Sequence, residues 1–124
     1  MQLADYLQSS YTAYHAVANA EALLRENGFE KLSEQEPWRI EKKGKYYVTR
    51  GGSAIIAFQT NVKDTFYAKI IASHTDSPCL KLKENPEMEN GAYKKLNVET
   101  YGGGIWYSFF DRPLRVAGQI VVKE

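Results

Sequence analysis

Long apolar runs are missing from this 124-residue sequence: nowhere do about eighteen apolar residues follow one another, so no membrane-spanning helix is expected. The opening MQLADYLQSS also lacks the basic start and apolar stretch of a secretory signal. A single cysteine, Cys79, leaves no internal disulfide to form and fits a reducing compartment, which makes the cytoplasm the expected location. Neither histidine stands beside that thiol in a nucleophile motif, so Cys79 reads as a small buried apolar residue. An excess of charge is absent too. Sixteen Lys and Arg face fifteen Asp and Glu, a formal charge of +1, and nothing in that balance draws the chain to nucleic acid or an anionic membrane. Repeats and low-complexity tracts are missing. The three glycines at 102–104 lack the Lys and the Ser or Thr that a phosphate loop needs at a fixed offset.

What is present suffices for a core, since 44% of the residues are hydrophobic and the length is that of one ordinary domain. Leu3, Tyr6, Leu7, Val17, Leu23 and Leu24, set among alanines and polar residues, predict one or two helices interrupted near Ser9 to Thr12. Ser10 or Thr12 is positioned to cap the second, and Gly28 after Asn27 to stop it. His15 lies inside this segment, as a helix-face or capping residue or as a contributor to the edge of a site.

Beyond Gly28 the pattern turns extended. Trp38 and Ile40 alternate with Arg39 and Glu41, KKGK supplies a turn, and YYVTR reads as a strand ending at Gly51 and Gly52. SAIIAFQT, AKIIASHT and CLKLK follow as three more strands, with KIIA expected to be deeply buried. ENPEMENGAYKK, polar and carrying Pro86 and Gly91, reads as a connection. VAGQIVVKE begins like a strand, with no following partner in the sequence, and a truncated chain is expected on that ground. The aromatic run around Tyr101, Trp106, Tyr107, Phe109 and Phe110 suits a domain junction or subunit surface, with a peptide-binding cleft as the alternative.

The strongest chemical content lies in IASHTDSPC. If the chain stays extended through Asp76, His74 and Asp76 point the same way about 7 Å apart along the strand. A carboxylate bonded to one ring nitrogen fixes the tautomer and makes the other nitrogen a better zinc ligand. His-x-Asp alone leaves three readings open: a metal ligand with its support, a structural hydrogen-bonded pair, or acid–base catalysis without metal.

Longer motifs in order carry a resemblance. YHAVANAEALLRENGF (14–29), GKYYVTRGGSAIIAF (44–58), IIASHTDSPCLKLK (70–83) and KLNVETYGGGIWYSFFDRPLRVAGQIVVKE (95–124) together resemble the amino-terminal part of the M18 metallopeptidases, the aspartyl aminopeptidase family. The resemblance implies an α/β fold: an amino-terminal helical segment and a mixed β-sheet, an incomplete part of a catalytic domain over 1–88, with an inserted mostly β domain beginning over 89–124. It implies a homo-oligomeric enzyme that uses two divalent ions, usually Zn2+, to remove amino-terminal residues, acidic in many members, from peptide substrates. By the same resemblance His74 falls on the first metal-binding histidine and Asp76 on the catalytic carboxylate that supports it. The remaining ligands would come from segments beyond Glu124, so the chain alone is expected to be inactive and to bind zinc weakly. The family usually reads Trp-Phe-Asp-Arg-Asp-Leu where this chain has Phe109, Phe110, Asp111, Arg112, Pro113 and Leu114. Asp111 and Arg112 are therefore expected to orient a turn or subunit contact rather than bind metal. The alternative reading is a small non-enzymatic regulatory or assembly module with the same amino-terminal architecture.

Overall fold

The computed structural model describes residues 2–61 and 67–123, and the chain divides into two compact units: Met1–Asp76 with Ala117–Glu124, and Ser77–Val116. The first unit opens with α1 (Leu3–Ser9) and α2 (Ala13–Glu26), broken where expected. Thr12 caps α2 by accepting from the His15 backbone N–H, removing one of the unpaired donors every helix start carries. The other end closes through Gly28, whose φ of 76° is open to glycine without a side-chain penalty. Its N–H bonds the Arg25 carbonyl at 3.1 Å while Phe29 N–H bonds that of Leu24 at 3.0 Å, the paired pattern of a Schellman stop. Polar bonds join the two helices: Tyr6 Oη donates to the Ala16 carbonyl, and Asn19 Nδ2 to the hydroxyls of Ser9 and Ser10.

Behind the helices lie β1 (Glu30–Lys31), β2 (Lys45–Arg50) and β3 (Ala54–Gln59), a sheet in that order with β1 parallel and β3 antiparallel to β2. The expected α/β class with a mixed sheet is thus observed. Three consecutive residues of β2, Tyr46, Tyr47 and Val48, are buried, so this central strand is covered on both faces. Tyr47, 1% exposed, aims its hydroxyl at Glu21 of α2. Tyr46, on the opposite face by alternation, sits 5.6 Å from the ring of Phe58, which stacks at 6.1 Å on Trp38. Ala16, Val17 and Leu32 complete the core. Trp38 and Ile40 do not form the extended alternation expected of them. Trp38 instead bonds the Ser33 carbonyl through Nε1 and lies over the sheet.

The second unit is a hairpin of β4 (Cys79–Asn90) and β5 (Tyr93–Tyr101), followed by a short 3₁₀ turn at Trp106–Phe109. CLKLK is a strand as expected, but ENPEMEN continues it rather than forming a connection. Pro86 is accommodated because the register shifts between Leu82, opposite Val98, and Glu87, opposite Leu96. The four β4 residues between face a single residue of β5, so the missing proline N–H costs no ladder bond there. β4 runs through the 88/89 position. Cys79 is exposed, not buried.

Two other expected strands are absent. Residues 67–75 carry no strand pairing, and Ile70 and Ile71 are 85% and 100% exposed. Residues 117–123 are likewise unpaired, with Ile120, Val121 and Val122 exposed; Glu124 lies outside the described residues. Branched apolar residues favour strands only where a neighbour completes the ladder and covers the side chains, and no described segment does either here. The same deficit shows in total area. A folded monomer of 14.1 kDa shows roughly 6,700 Å² to water, whereas this chain shows 11278 Å².

Candidate functional site

The segment carrying His74 and Asp76 follows the exposed residues 67–73 and ends the first stretch, Met1–Asp76, of the first unit. It does not stay extended: the chain bends at Thr75. Thr75 is half-buried in a stretch otherwise exposed from 67 to 79, and its hydroxyl donates a 2.8 Å bond to the Ser53 carbonyl. Ser53 closes the three-residue loop between β2 and β3, its own N–H bonding the Arg50 carbonyl at 3.3 Å. The bend brings His74 Nδ1 to 2.6 Å from the main-chain carbonyl oxygen of Asp76 and to 3.4 Å from its Oδ1. The first distance is that of a strong hydrogen bond; the second is ion-pair range. Both side chains are open to water, at 79% and 52% exposure.

His74 and Asp76 are therefore together, and the other residues singled out in the sequence are not part of any group with them. His15 is used at the start of α2, its Nδ1 2.8 Å from Thr12 Oγ1 and its ring edge-on to Tyr11 at 5.6 Å. Asp111 is exposed and holds a φ of 55°, the left-handed region that Asp tolerates better than most residues. Trp106 and Phe109 pair at 5.6 Å, while Tyr101, Tyr107 and Phe110 are at least half exposed. Of the glycines at 102–104, Gly102 and Gly104 back onto Pro78. A Cβ at Gly104 would stand 3.0 Å from Pro78 Cβ and 3.1 Å from the Trp106 ring, so a side chain there would require those groups to shift by a few tenths of an ångström. The Thr75–Ser53 tether was not foreseen. The two residues are 22 positions apart, and no local pattern links a threonine hydroxyl to a turn carbonyl at that separation.

Zinc in protein sites takes three or four protein ligands. Among the described residues no group of three or more His, Cys, Asp or Glu is placed to hold a metal ion. One imidazole with an adjacent carboxylate does not make a complete zinc site.

The family model described as aminopeptidase I zinc metalloprotease (M18) matches residues 6–124. The chain belongs to the M18 peptidase family. An M18 protein of Stutzerimonas stutzeri, named probable M18 family aminopeptidase 2, is 44% identical over 124 residues, covering 98% of this chain and 29% of that protein. Aspartyl aminopeptidase 4 of Saccharomyces cerevisiae is 43% identical over 127 residues, covering 99% of this chain and 26% of the other. Among solved M18 structures, the cryo-EM structure of the Ape4 and Nbr1 complex superposes with a TM-score of 0.83 at 44% identity, over 87% of this chain and 21% of that one. The S. cerevisiae mApe1 dodecamer superposes at 0.68 and 27% identity, over 87% and 26%. This M18 chain thus spans less than a third of the length of the relatives it matches. No helix among its described residues is long and apolar enough to cross a membrane.

Proposed function

We propose that this chain supplies the amino-terminal part of a metal-dependent aminopeptidase, with His74 as one ligand of a pair of divalent ions. The observation that carries the proposal is the M18 match over 6–124 together with an exposed imidazole whose Nδ1 is already engaged. An engaged Nδ1 leaves Nε2 as the ligating atom, with the Asp76 carboxylate 3.4 Å from the ring. The family description supports zinc as the metal. In this reading the other ligands lie outside the 124 residues, and the chain alone is inactive. Residues 1–88 belong to the catalytic α/β domain and 89–124 open an inserted, mostly β domain.

Peptides with acidic amino-terminal residues are the proposed substrates, which the relative named aspartyl aminopeptidase supports. Homo-oligomeric assembly in the cytoplasm completes the proposal, and the relative solved as a dodecamer supports the assembly. The test is hydrolysis of aspartyl and glutamyl peptides by a protein carrying this sequence within a whole M18 chain, supplied with zinc, cobalt or manganese. Release of the first residue is expected. No release with any of the three ions sinks the assignment.

A further inference from the structure

Two Asn–Gly pairs stand in the sequence, Asn27–Gly28 and Asn90–Gly91, and the structure treats them differently. An asparagine followed by glycine is open to attack on its own side chain: the glycine amide nitrogen, with no β-carbon beside it to hinder approach, adds to the side-chain Cγ. As the new C–N bond forms and the Cγ–Nδ2 bond breaks, the glycine N–H proton leaves with Nδ2 as ammonia, and a five-membered imide remains. Water then adds to one of the two imide carbonyls and opens the ring, to aspartate or to isoaspartate. The net change is one water taken up and one ammonia released, with no oxidation or reduction. In a folded chain the rate turns on whether the glycine N–H and the asparagine amide are free to meet.

Exposure does not separate the two pairs, since all four residues are exposed. Hydrogen bonding does. At the end of α2 both reacting groups are engaged: Gly28 N–H bonds the Arg25 carbonyl at 3.1 Å, and Asn27 Nδ2 donates to the Leu23 carbonyl at 2.8 Å. The Asn27 carbonyl is held as well, accepting from Lys45 Nζ at 3.1 Å. At the tip of the β4–β5 hairpin neither group is engaged. Among the described residues the Asn90 side chain and the Gly91 N–H make no hydrogen bond. Gly91, with a φ of 60°, and Ala92, whose φ is not positive, make the two-residue turn a type II′ turn, which leaves the first N–H outside the ladder. Closing the imide turns the Asn90–Gly91 peptide toward the side chain. The ladder pair this disturbs is Asn90 with Tyr93, at an exposed tip where local opening costs little.

We propose that Asn90–Gly91 is a site of spontaneous modification, reacting with water to give aspartate and isoaspartate, while the stop of α2 holds Asn27–Gly28 unreactive. Isoaspartate carries the chain through its side chain, one methylene longer, so the two-residue turn no longer matches the Asn90–Tyr93 pair. Either product adds a negative charge beside Glu89. The inference concerns the hairpin tip and does not rest on the reading of His74.

The experiment is ageing of the 124-residue chain in warm, mildly alkaline buffer. Trypsin places the two pairs on separate peptides, 26–31 and 84–94, and mass spectrometry reads the gain of one mass unit in each over time. Two net hydrogen bonds of ordinary strength on the reacting groups slow the Asn27 reaction by about 5- to 150-fold, and peptide 84–94 should lead by that factor. In denaturing urea both pairs are released and the two rates should converge. Asn90→Gln, whose longer side chain would have to close a six-membered ring, should silence peptide 84–94, because its other asparagine, Asn85, precedes Pro86, which has no N–H to attack with. Equal rates in buffer, or a lead for Asn27, overturn the proposal. So does a lead that persists undiminished in urea, since sequence and not the fold would then set it, and so does an undiminished mass gain on peptide 84–94 in Asn90→Gln.

Discussion

Replacing Glu21 with alanine should cost this chain a measurable share of its stability, because one carboxylate ties α2 to both β1 and β2. Its Oε1 accepts from Lys31 Nζ at 2.7 Å and from the Tyr47 hydroxyl at 3.2 Å, with Arg25 Nη2 at 3.6 Å. The three partners do not lose equally. Lys31 and Arg25 are 50% and 68% exposed and return to water, so their ion pairs are worth roughly 0.2–1 kcal/mol together. Tyr47 is 1% exposed, and a hydroxyl stranded at the helix–sheet contact costs about 1–3 kcal/mol. The expected loss is thus about 1.2–4 kcal/mol, most of it from tyrosine. Urea unfolding followed by circular dichroism reads it: with a slope of about 1.5 kcal/mol/M, the midpoint should fall by roughly 0.8–2.7 M. The double cycle with Tyr47→Phe isolates the cause. A coupling of about 1 kcal/mol is expected, since the hydroxyl costs nothing once it is gone. A coupling within about 0.3 kcal/mol of zero would refute the reasoning, whatever the single variant does. Acid gives an independent reading. Hydrogen bonding from Lys31, then its charge and the Tyr47 hydroxyl, hold the Glu21 carboxyl below its ordinary value against the opposing effect of burial. A depressed folded value stabilises above the unfolded carboxyl range, near pH 4.3, and that stability is lost as pH falls through the folded value. Glu21→Gln should therefore flatten the acid limb of the stability profile.

Zinc titrated calorimetrically into the 124-residue chain at neutral pH should bind weakly, since no three ligands are assembled among the described residues; submicromolar, stoichiometric binding would contradict this. In a whole M18 chain His74→Ala should remove most metal-dependent turnover, whereas Asp76→Asn should lower it by about 10- to 100-fold, the usual range for groups that support a metal ligand. Steady-state kinetics of both variants, with near-normal turnover in His74→Ala as the contrary outcome, decide the matter. Gly28→Ala forces a side chain into a left-handed stop and should destabilise by about 1–2 kcal/mol, read as a lower urea midpoint with an unchanged slope. The exposed Ile70, Ile71, Ile120, Val121 and Val122 predict concentration-dependent association. Sedimentation showing a clean monomer over about a hundredfold concentration range, up to the solubility limit, would exclude it.

The elements legible in the sequence are those whose causes are local. The break before Thr12, the stop at Gly28 and the β2–β3 hairpin follow from caps, a left-handed glycine and a loop between alternating strands, all decided within a few residues. Elements that depend on a distant neighbour were misread. The KIIA stretch has the composition of a central strand, but branched side chains do not make a strand without a ladder, and none forms at 67–75. Pro86 was misread in the other direction: it breaks a regular ladder, and the shift between Leu82 and Glu87 removes the ladder at the place where it sits. Within the candidate site, the nearness of His74 and Asp76 was legible from their spacing. The bend and the Ser53 tether were not, because a strand-like pattern says nothing of a hydroxyl bond across 22 residues.

The β2–β3 hairpin also has consequences for the order of events during synthesis. Its pairings close over short stretches of chain, from Arg50 with Ala54 outward to Lys45 with Gln59, so it can form as soon as these residues leave the ribosome. A hairpin forms in about 1–10 μs, whereas the fifteen positions from Gln59 to His74 take roughly one to three seconds to add at about 5–20 residues per second. Among the described residues no strand joins the outer edge of β3, so its backbone groups wait unpaired through that interval and after it. The waiting strand reads AIIAFQ, with no charge, proline or glycine to discourage another strand from joining it. Nascent-chain quality control therefore meets an adhesive edge early, before the first candidate ligand has been synthesised.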